Sequence, residues 1–460
     1  MDLKLFRLFF LIGLKYCRRY LKWLGLGFLI LLLLFFAQIK LHLFYQPNSI
    51  RLGFVGTYQE HDLPQEVTKL VSEGLITTDG SARFKPNLVA GWDTNNDATE
   101  FKFKLKEGLR WTDGTLIKSS DLEFPIANAI SSYPDEGSIQ FTLKESYSPL
   151  PSLLTKPTFK KGALFGTGPY SITKIEKSRI FITKLTLKSP EENLPEIFIR
   201  FYPNETVAIA GFNLGEVQAL LGISNPAIFS DNPRVHVSRT TDYAKIVTIL
   251  YQTKDPLLSN RSIRQALSFT APKIEGEEEA DNPYPPASWA YNPDSKKYLS
   301  RKNEAEAAIK RAKSAVSEEK LKGELILTAT PNLEEVAKKV EVAWKELGFN
   351  VKLRIESGIP QNFQSLLITQ SIPADPDQYY LWHSSQEKTN LTKYSSVRVD
   401  KDLEDGRKAL SEEERKEKYF DFQKTILEDA PATFLYFPKY NIVYLKKIEK
   451  LLDKILSLQI

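Results

Sequence analysis

One uncharged run, Trp23 to Ile39 (WLGLGFLILLLLFFAQI), constrains this chain more than any other feature. As a helix its 17 residues span about 25 Å, close to the hydrocarbon thickness of a bilayer. Leu and Phe cover every face, so the run lacks the polar stripe of a helix that packs on a water-facing core. The residues before it carry Lys4, Arg7, Lys15, Arg18, Arg19 and Lys22 against Asp2 alone, and basic residues are sparse just after it. The positive-inside rule then predicts a cytoplasmic tail over 1–22, a transmembrane anchor over 23–39, and the bulk of the chain outside the cell membrane as a single-pass protein. The run ends Phe35-Phe36-Ala37-Gln38, a poor cleavage site, which favours an anchor over a removed signal peptide. Cys17 precedes the run and is not placed for lipid attachment.

Charge and cysteine content narrow the function classes. The chain has 62 basic and 57 acidic residues, a net +5, and the tail over 1–22 supplies all of that excess. The remainder is neutral, so no nucleic-acid partner is expected. A lone cysteine excludes an internal disulfide and a thiolate metal site, and His42, His61, His236 and His383 show no ligand spacing. No metal or other cofactor is expected.

Beyond a short linker at Pro47 and Asn48 the first half reads as strands. Ile50 to Val55 is a compact apolar strand. Glu100 to Lys106 alternates, with Phe101, Phe103 and Leu105 on one face and three lysines on the other, the pattern of a sheet with one wet side. Ile139, Phe141 and Leu143, then Tyr170 to Ile175 and Ile180 to Leu187, continue the series. The second half alternates helix and strand. Asn303 with Glu306 reads as a capping box opening a helix to about Val316. Gly323 to Ala329 reads as a strand, Pro331 opens a helix striped by Val336, Val340, Trp344 and Leu347, Gly348 ends it, and Asn350 to Ile355 is the next strand. This β-α-β unit predicts a parallel crossover and an α/β class. Ser411 with Glu414 caps a helix that Pro431 ends, and Leu445 to Ile460 reads as an amphipathic helix packed on its own lobe. The acid- and proline-rich segment from Glu275 to Ser300 is expected to loop over the surface.

Catalytic signatures are absent: no G-x-S-x-G, H-E-x-x-H, P-loop or G-x-G-x-x-G after a strand occurs. Asp375 and Asp377 flank a proline, and two acids in that setting read first as a turn or helix cap. They are the one foothold for a hydrolase, and the chain is expected not to be an enzyme.

The turn motifs, taken in order, carry more. Leu70-Val-Ser-Glu-Gly-Leu-Ile76, Pro86-Asn-Leu-Val-Ala-Gly-Trp92, and Phe101-Lys-Phe-Lys-Leu-Lys-Glu-Gly-Leu-Arg-Trp111 with Asp113-Gly114-Thr115 and Ser120-Asp121 are followed by Gly166-Thr-Gly-Pro-Tyr170, Arg261-Ser-Ile-Arg-Gln-Ala-Leu267, Asp375-Pro-Asp377, Asn390 with Tyr394, Asp400, and Glu428-Asp-Ala-Pro431. Over residues 50 to about 440 this series resembles the extracellular solute-binding proteins of family 5, the oligopeptide, dipeptide and nickel binding components of ABC importers. Most of these residues also have a plain structural reading. Gly114 suits a turn needing positive φ, Gly166 and Gly168 let the chain bend before a strand, and Trp92 and Trp111 read as core.

The resemblance implies a periplasmic-binding-protein-like fold of the class II, large cluster C type: two α/β lobes joined by crossing strands, behind one N-terminal transmembrane helix. The first lobe would span 45–250, with 432–460 returning to it, and the second 251–431. It also implies a monomer that captures a peptide or small solute in the interlobe cleft and delivers it to an ABC permease in the membrane. Clamping segments map to Tyr58–Asp62 and Leu367–Asp375, giving Tyr58, Gln59, His61, Gln370, Ser371, Asp375 and, just beyond, Trp382 as candidate ligand contacts. The chain departs from the pattern where peptide-binding relatives place an amine-pairing aspartate: it reads Ser371-Ile372-Pro373-Ala374. The segments from Phe124 to Ile139 and from Phe269 to Tyr284 are also short. These departures motivate an alternative, a reduced surface interaction module on the same fold that no longer transports.

Overall fold

The computed structural model describes residue 23, residues 26–36 and residues 48–459. The tail expected over 1–22 lies outside them, as do parts of the expected span 23–39. Residues 26–36 are helical and expose Phe28, Leu31 and Leu33. Among the described residues no helix is long and apolar enough to cross a membrane, so the transmembrane helix expected over 23–39 is not found as such.

From Ser49 onward two large sheets organise the chain. The first orders its strands Val235–Thr241, Lys439–Leu445, Ala219–Leu221, Ser49–Val55, Glu196–Tyr202, Phe181–Lys188 and Ser171–Ser178. Ser49–Val55 lies at its centre, parallel to both neighbours, and buries Ile50, Leu52 and Phe54. A strand paired on both edges and covered on both faces has to be apolar nearly throughout, as this one is. The second sheet orders Glu278–Glu279, Ala432–Phe437, Lys245–Tyr251, Ser365–Ser371, Glu324–Ala329 and Asn350–Ile355.

The two sheets exchange strands at one place. Val235–Thr241 and Lys439–Leu445 run antiparallel in the first sheet, from Val235 opposite Leu445 to Thr241 opposite Lys439. The chain then steps across at Asp242–Ala244, and its partner steps across at Pro438, where the Asp242 N–H donates to the Pro438 carbonyl at 2.8 Å. Lys245–Tyr251 and Ala432–Phe437 therefore pair in the second sheet, whereas the sequence reading carries the first lobe to 250 and returns the chain to it from 432. Neighbouring apolar strands give no sequence cue to which sheet each joins.

A four-stranded sheet (Val89–Thr94, Glu100–Leu105, Ser138–Leu143, Ala129–Asp135) extends the first lobe. Phe101, Phe103 and Leu105 are buried and Lys102 and Lys104 exposed, which is the expected alternation. Trp111 is buried in the same core, and Trp92 stacks on Phe103 at 5.9 Å. The β-α-β unit also forms: Glu324–Ala329 and Asn350–Ile355 pair in parallel, joined by helix Glu334–Glu346, whose Val340 and Trp344 are buried. Helix Glu449–Leu456 packs Leu452 and Ile455 into the first-lobe core, as its amphipathic pattern predicts.

Two further expectations fail. The segment 275–300 is not a surface loop: Ala280, Tyr284, Trp289, Ala290 and Tyr298 belong to the second-lobe core. Its polar backbone tolerates burial because distant side chains satisfy it. Gln423 donates to the Ala290 carbonyl and accepts from the Asn292 N–H, Gln378 donates to the Pro283 carbonyl, and the Tyr284 hydroxyl donates to the Pro376 carbonyl. The helix expected to be capped by Asn303 instead runs Lys302–Lys313 from an Arg301 start, without a side-chain cap.

The motif glycines show why only hydrogen fits. A Cβ on Gly166 would meet the Val71 carbonyl oxygen at 2.1 Å, and one on Gly168 the Leu70 oxygen at 2.6 Å, so the chain presses flat against another backbone and cannot accept a side chain. Gly166→Ala is expected to destabilise the fold by about 3 kcal/mol, read as a shift in the urea midpoint.

Candidate ligand cleft

A cavity of about 1850 Å³ opens between the lobes. The first lobe contributes Glu60 and His61, from the loop after the central strand, together with Tyr147, Phe159 and Phe165. The second lobe contributes Tyr379, Glu404, Arg407 and Lys408. The last three sit three and four residues apart on helix Val397–Lys408, so they share one face. Ser396 starts that helix by accepting the Val399 N–H. Tyr379 is aimed by two successive aspartate turns: Asp375 accepts from the Asp377 N–H at 2.8 Å, and Asp377 accepts from the Tyr379 N–H at 3.1 Å.

These side chains form one stack. The Arg407 guanidinium carbon lies 4.0 Å from the Tyr379 ring centre and 5.0 Å from that of Tyr147, and its Nη2 donates to Asp377 Oδ2 at 2.8 Å. Behind Tyr379, the His383 ring stacks at 4.0 Å with 21° between planes. His383 Nδ1 accepts from the Ser385 N–H at 3.1 Å, an arrangement that leaves Nε2–H to donate to Glu404 Oε1, also 3.1 Å away. Burial pushes the Asp377 carboxyl above its ordinary range, with Arg407 opposing, and burial pushes the Tyr147 hydroxyl up to about 12. The wall is thus a rigid aromatic and guanidinium surface whose charge is partly neutralised from behind. Among the described residues no group of three or more His, Cys, Asp and Glu could hold a metal.

Residues 83–390, more than half the chain, match the model for bacterial extracellular solute-binding proteins, family 5 Middle. The chain belongs to the family 5 extracellular solute-binding proteins. It is 22% identical to the oligopeptide-binding protein AppA of Bacillus subtilis, over 86% of each protein. Among solved structures it is similar to NikZ from Campylobacter jejuni in complex with Ni(L-His), at 21% identity and a TM-score of 0.70, covering 86% of this chain and 94% of that one. AppA from B. subtilis in complex with a nonapeptide gives 17% identity and a TM-score of 0.65, with 87% and 95% covered. The two-lobed α/β fold implied by the motif series is therefore the fold of the chain.

Within this family 5 frame, the seven residues proposed from sequence fall in different places. His61 lines the cavity. Tyr58 is half-buried beside it in sequence, its hydroxyl donating to the Val55 carbonyl and its ring 5.1 Å from Phe201, and Gln59 follows it half-buried. Gln370 and Ser371 end their strand opposite Ile246 and Lys245, next to the crossing. Asp375 is buried and ion-paired to Arg415, and Trp382 is buried with its Nε1–H donating to Gln378 and its ring against Phe434. The structure thus does not gather the seven into one surface. Tyr147, Tyr379, Glu404, Arg407 and Lys408 were missed; the i, i+3, i+4 placement of the last three was the one available signal.

The lobes also touch each other directly. The Ser148 N–H donates to the Arg407 carbonyl at 2.8 Å. A turn at Asp79–Arg83 reaches the second lobe, where Ala82 packs on its core and the Ser81 carbonyl accepts the Trp289 N–H. Arg83 then makes a bidentate pair with Glu412, at 2.8 and 2.7 Å. Arg83→Ala is expected to open the cleft, seen as a larger radius of gyration in small-angle scattering, and high salt should mimic it in the wild type.

Two buried or half-buried carboxylates give further expectations. Burial works against the Arg415 charge, but Asp375 and Tyr419 outweigh it and hold the guanidinium above its ordinary range. Asp375→Asn strands that cation in the core, and a cost of about 4 kcal/mol is expected in chemical denaturation. Burial, with Asp421 adding, pushes the Asp402 carboxyl up to about 6. Its unfolded value is about 4, so between these pH values the unfolded chain releases its proton first and the fold loses stability as pH rises. Asp402→Asn should therefore match the wild-type melting temperature below pH 4 and exceed it above pH 6.

Proposed function

We propose that the chain is a membrane-anchored, extracytoplasmic solute-binding protein that captures a peptide or similar solute between its lobes and hands it to an ABC permease. The observation that carries this reading is the large interlobe cavity with a prearranged wall of Arg407, Tyr379 and Tyr147. A flat stack of this kind offers contact area at low entropic cost, which suits a ligand that must be bound and later released. The bound nonapeptide of the AppA structure and the peptide-binding name of that relative support a peptide as the solute. The uncharged run over 23–39, the basic residues before it and the exposed apolar helix at 26–36 support an anchor with the tail inside. Anchoring raises the effective concentration of the binder near its permease. In this reading the protein acts as a monomer without chemistry of its own, and His61 contacts the solute from the first lobe.

One observation favours the second reading, a surface interaction module that no longer transports. Residues 371–374 hold no carboxylate for a ligand amine, and Asp375, the nearest one, is committed to Arg415. Native mass spectrometry of the gently purified full-length protein separates the two. Peptide-sized adducts that are lost on denaturation are expected; if none appears, and an added peptide mixture also leaves the mass unchanged, the transport reading fails.

A further inference from the structure

The sheet register gathers the entry of the outer part and its last helix at one edge of the first lobe. The linker from the uncharged run enters at Asn48, whose Nδ2 donates to the Glu192 and Leu194 carbonyls at 3.0 and 3.3 Å. Two strands away, Lys439–Leu445 ends at the same edge, since Leu52 lies opposite Ala219 and Ala219 opposite Tyr444. Helix Glu449–Leu456 then returns toward the entry. The Lys446 N–H donates to the Arg234 carbonyl at 2.9 Å, while Lys454 Nζ donates to the Asn193 carbonyl at 2.6 Å, between the two carbonyls that Asn48 holds.

Charge is segregated around this helix. Ile448, Leu452 and Ile455 are buried in the first-lobe core. Glu449 and Asp453 lie toward Tyr444: the Tyr444 hydroxyl donates to Glu449 at 3.1 Å, and burial, with both carboxylates adding, pushes that hydroxyl up to about 12. Lys446, Lys450 and Lys454 follow one another at four-residue spacing and form a separate ridge. Lys446 and Lys450 are exposed and have no ion pair among the described residues. The cleft lies at the other end of the central strand. Ser49–Val55 rises about 20 Å from this edge, and Glu60 and His61, in the loop after it, line the cavity.

We propose that this lysine ridge docks on the anionic phospholipid headgroups of the membrane that holds the anchor, setting the first lobe down on the bilayer with the cleft facing away from it. This rests on the anchored reading above. Residues 40–48 between anchor and lobe can span at most about 30 Å, so the edge that carries the ridge stays close to the bilayer. The field of an anionic surface falls off over about 10 Å and draws basic groups held at that range. Ammonium groups meet phosphate oxygens as point charges, so the ridge needs no fixed geometry in its partner. A few lysines attach weakly and reversibly. The lobe is thus held with its cleft open to the outer solution and can still lift away to meet a permease.

The test places the full-length protein in vesicles of phosphatidylcholine alone, or of phosphatidylcholine and phosphatidylglycerol in equal parts. A membrane-impermeant amine-acylating reagent, which reaches only copies whose lobes face outward, is followed lysine by lysine by peptide mass spectrometry. Lys446, Lys450 and Lys454 should react severalfold more slowly in the anionic vesicles, with Lys144 and Lys408 at the cleft unchanged. The protection should fade as salt rises from about 50 to about 500 mM. In a Lys446→Gln/Lys450→Gln variant, Lys454 should recover the rate it shows in phosphatidylcholine, with the melting temperature unchanged. Equal rates in the two lipids, or protection of Lys454 that survives the double substitution, overturns the docking and leaves the anchored solute-binding reading standing. Release of the chain from both kinds of vesicle by alkaline carbonate overturns the anchor, and this inference with it.

Discussion

Everything in the outer part of this protein depends on two strands that change sheets side by side. Val235–Thr241 and Lys439–Leu445 are hydrogen-bonded in the first sheet, and their continuations are hydrogen-bonded in the second. Pro438 has no N–H to place in either ladder, so the pairing is interrupted where the chain must turn, and its carbonyl instead receives the Asp242 N–H. Each lobe is a sheet with its own core, and the connection between them is short, ordered and nearly free of core packing. Such a joint lets two rigid bodies move against each other without disturbing what lies inside either.

The cleft then depends on the way the second lobe builds its wall. Asp375 and Asp377 sit two residues apart, yet they serve different ends. Asp375 turns inward to Arg415, which also donates to the Tyr419 hydroxyl, and Asp377 turns outward to fix Arg407. One short turn therefore ties the core of the lobe to its cavity face. Arg264 plays a comparable part elsewhere: in the R-Q-A-L helix it donates to the carbonyls of Asp429, Ala430 and Leu258, holding the end of helix Glu412–Asp429. The family's sequence signature reads largely as a set of such internal fixtures, which is why it identifies the fold better than the ligand.

The same distinction explains what the sequence made legible. Strands such as Glu100–Leu105 and the unit Glu324–Ile355 could be read because period and capping are local properties. The burial of 275–300 could not, because its carbonyls are satisfied by Gln378 and Gln423, far along the chain, and composition alone describes a segment that water would have to solvate. The cavity wall was similarly opaque. Nothing near Tyr147 announces that Arg407 will lie over it, and Trp382, named as a contact just beyond the second clamping segment, is buried in the core.

The turn at Asp79–Arg83 has a mechanical consequence. It grips the second lobe through Ala82, Ser81 and Arg83, a second connection between the lobes besides the strands that cross at Pro438. Ala82 holds a left-handed backbone, φ 64°, inside a turn closed by Asp79, whose N–H donates to the Arg83 carbonyl and whose carboxylate accepts from the Ser81 and Arg83 N–H groups. The tip meets the opposite lobe already shaped, so docking there orders little further backbone.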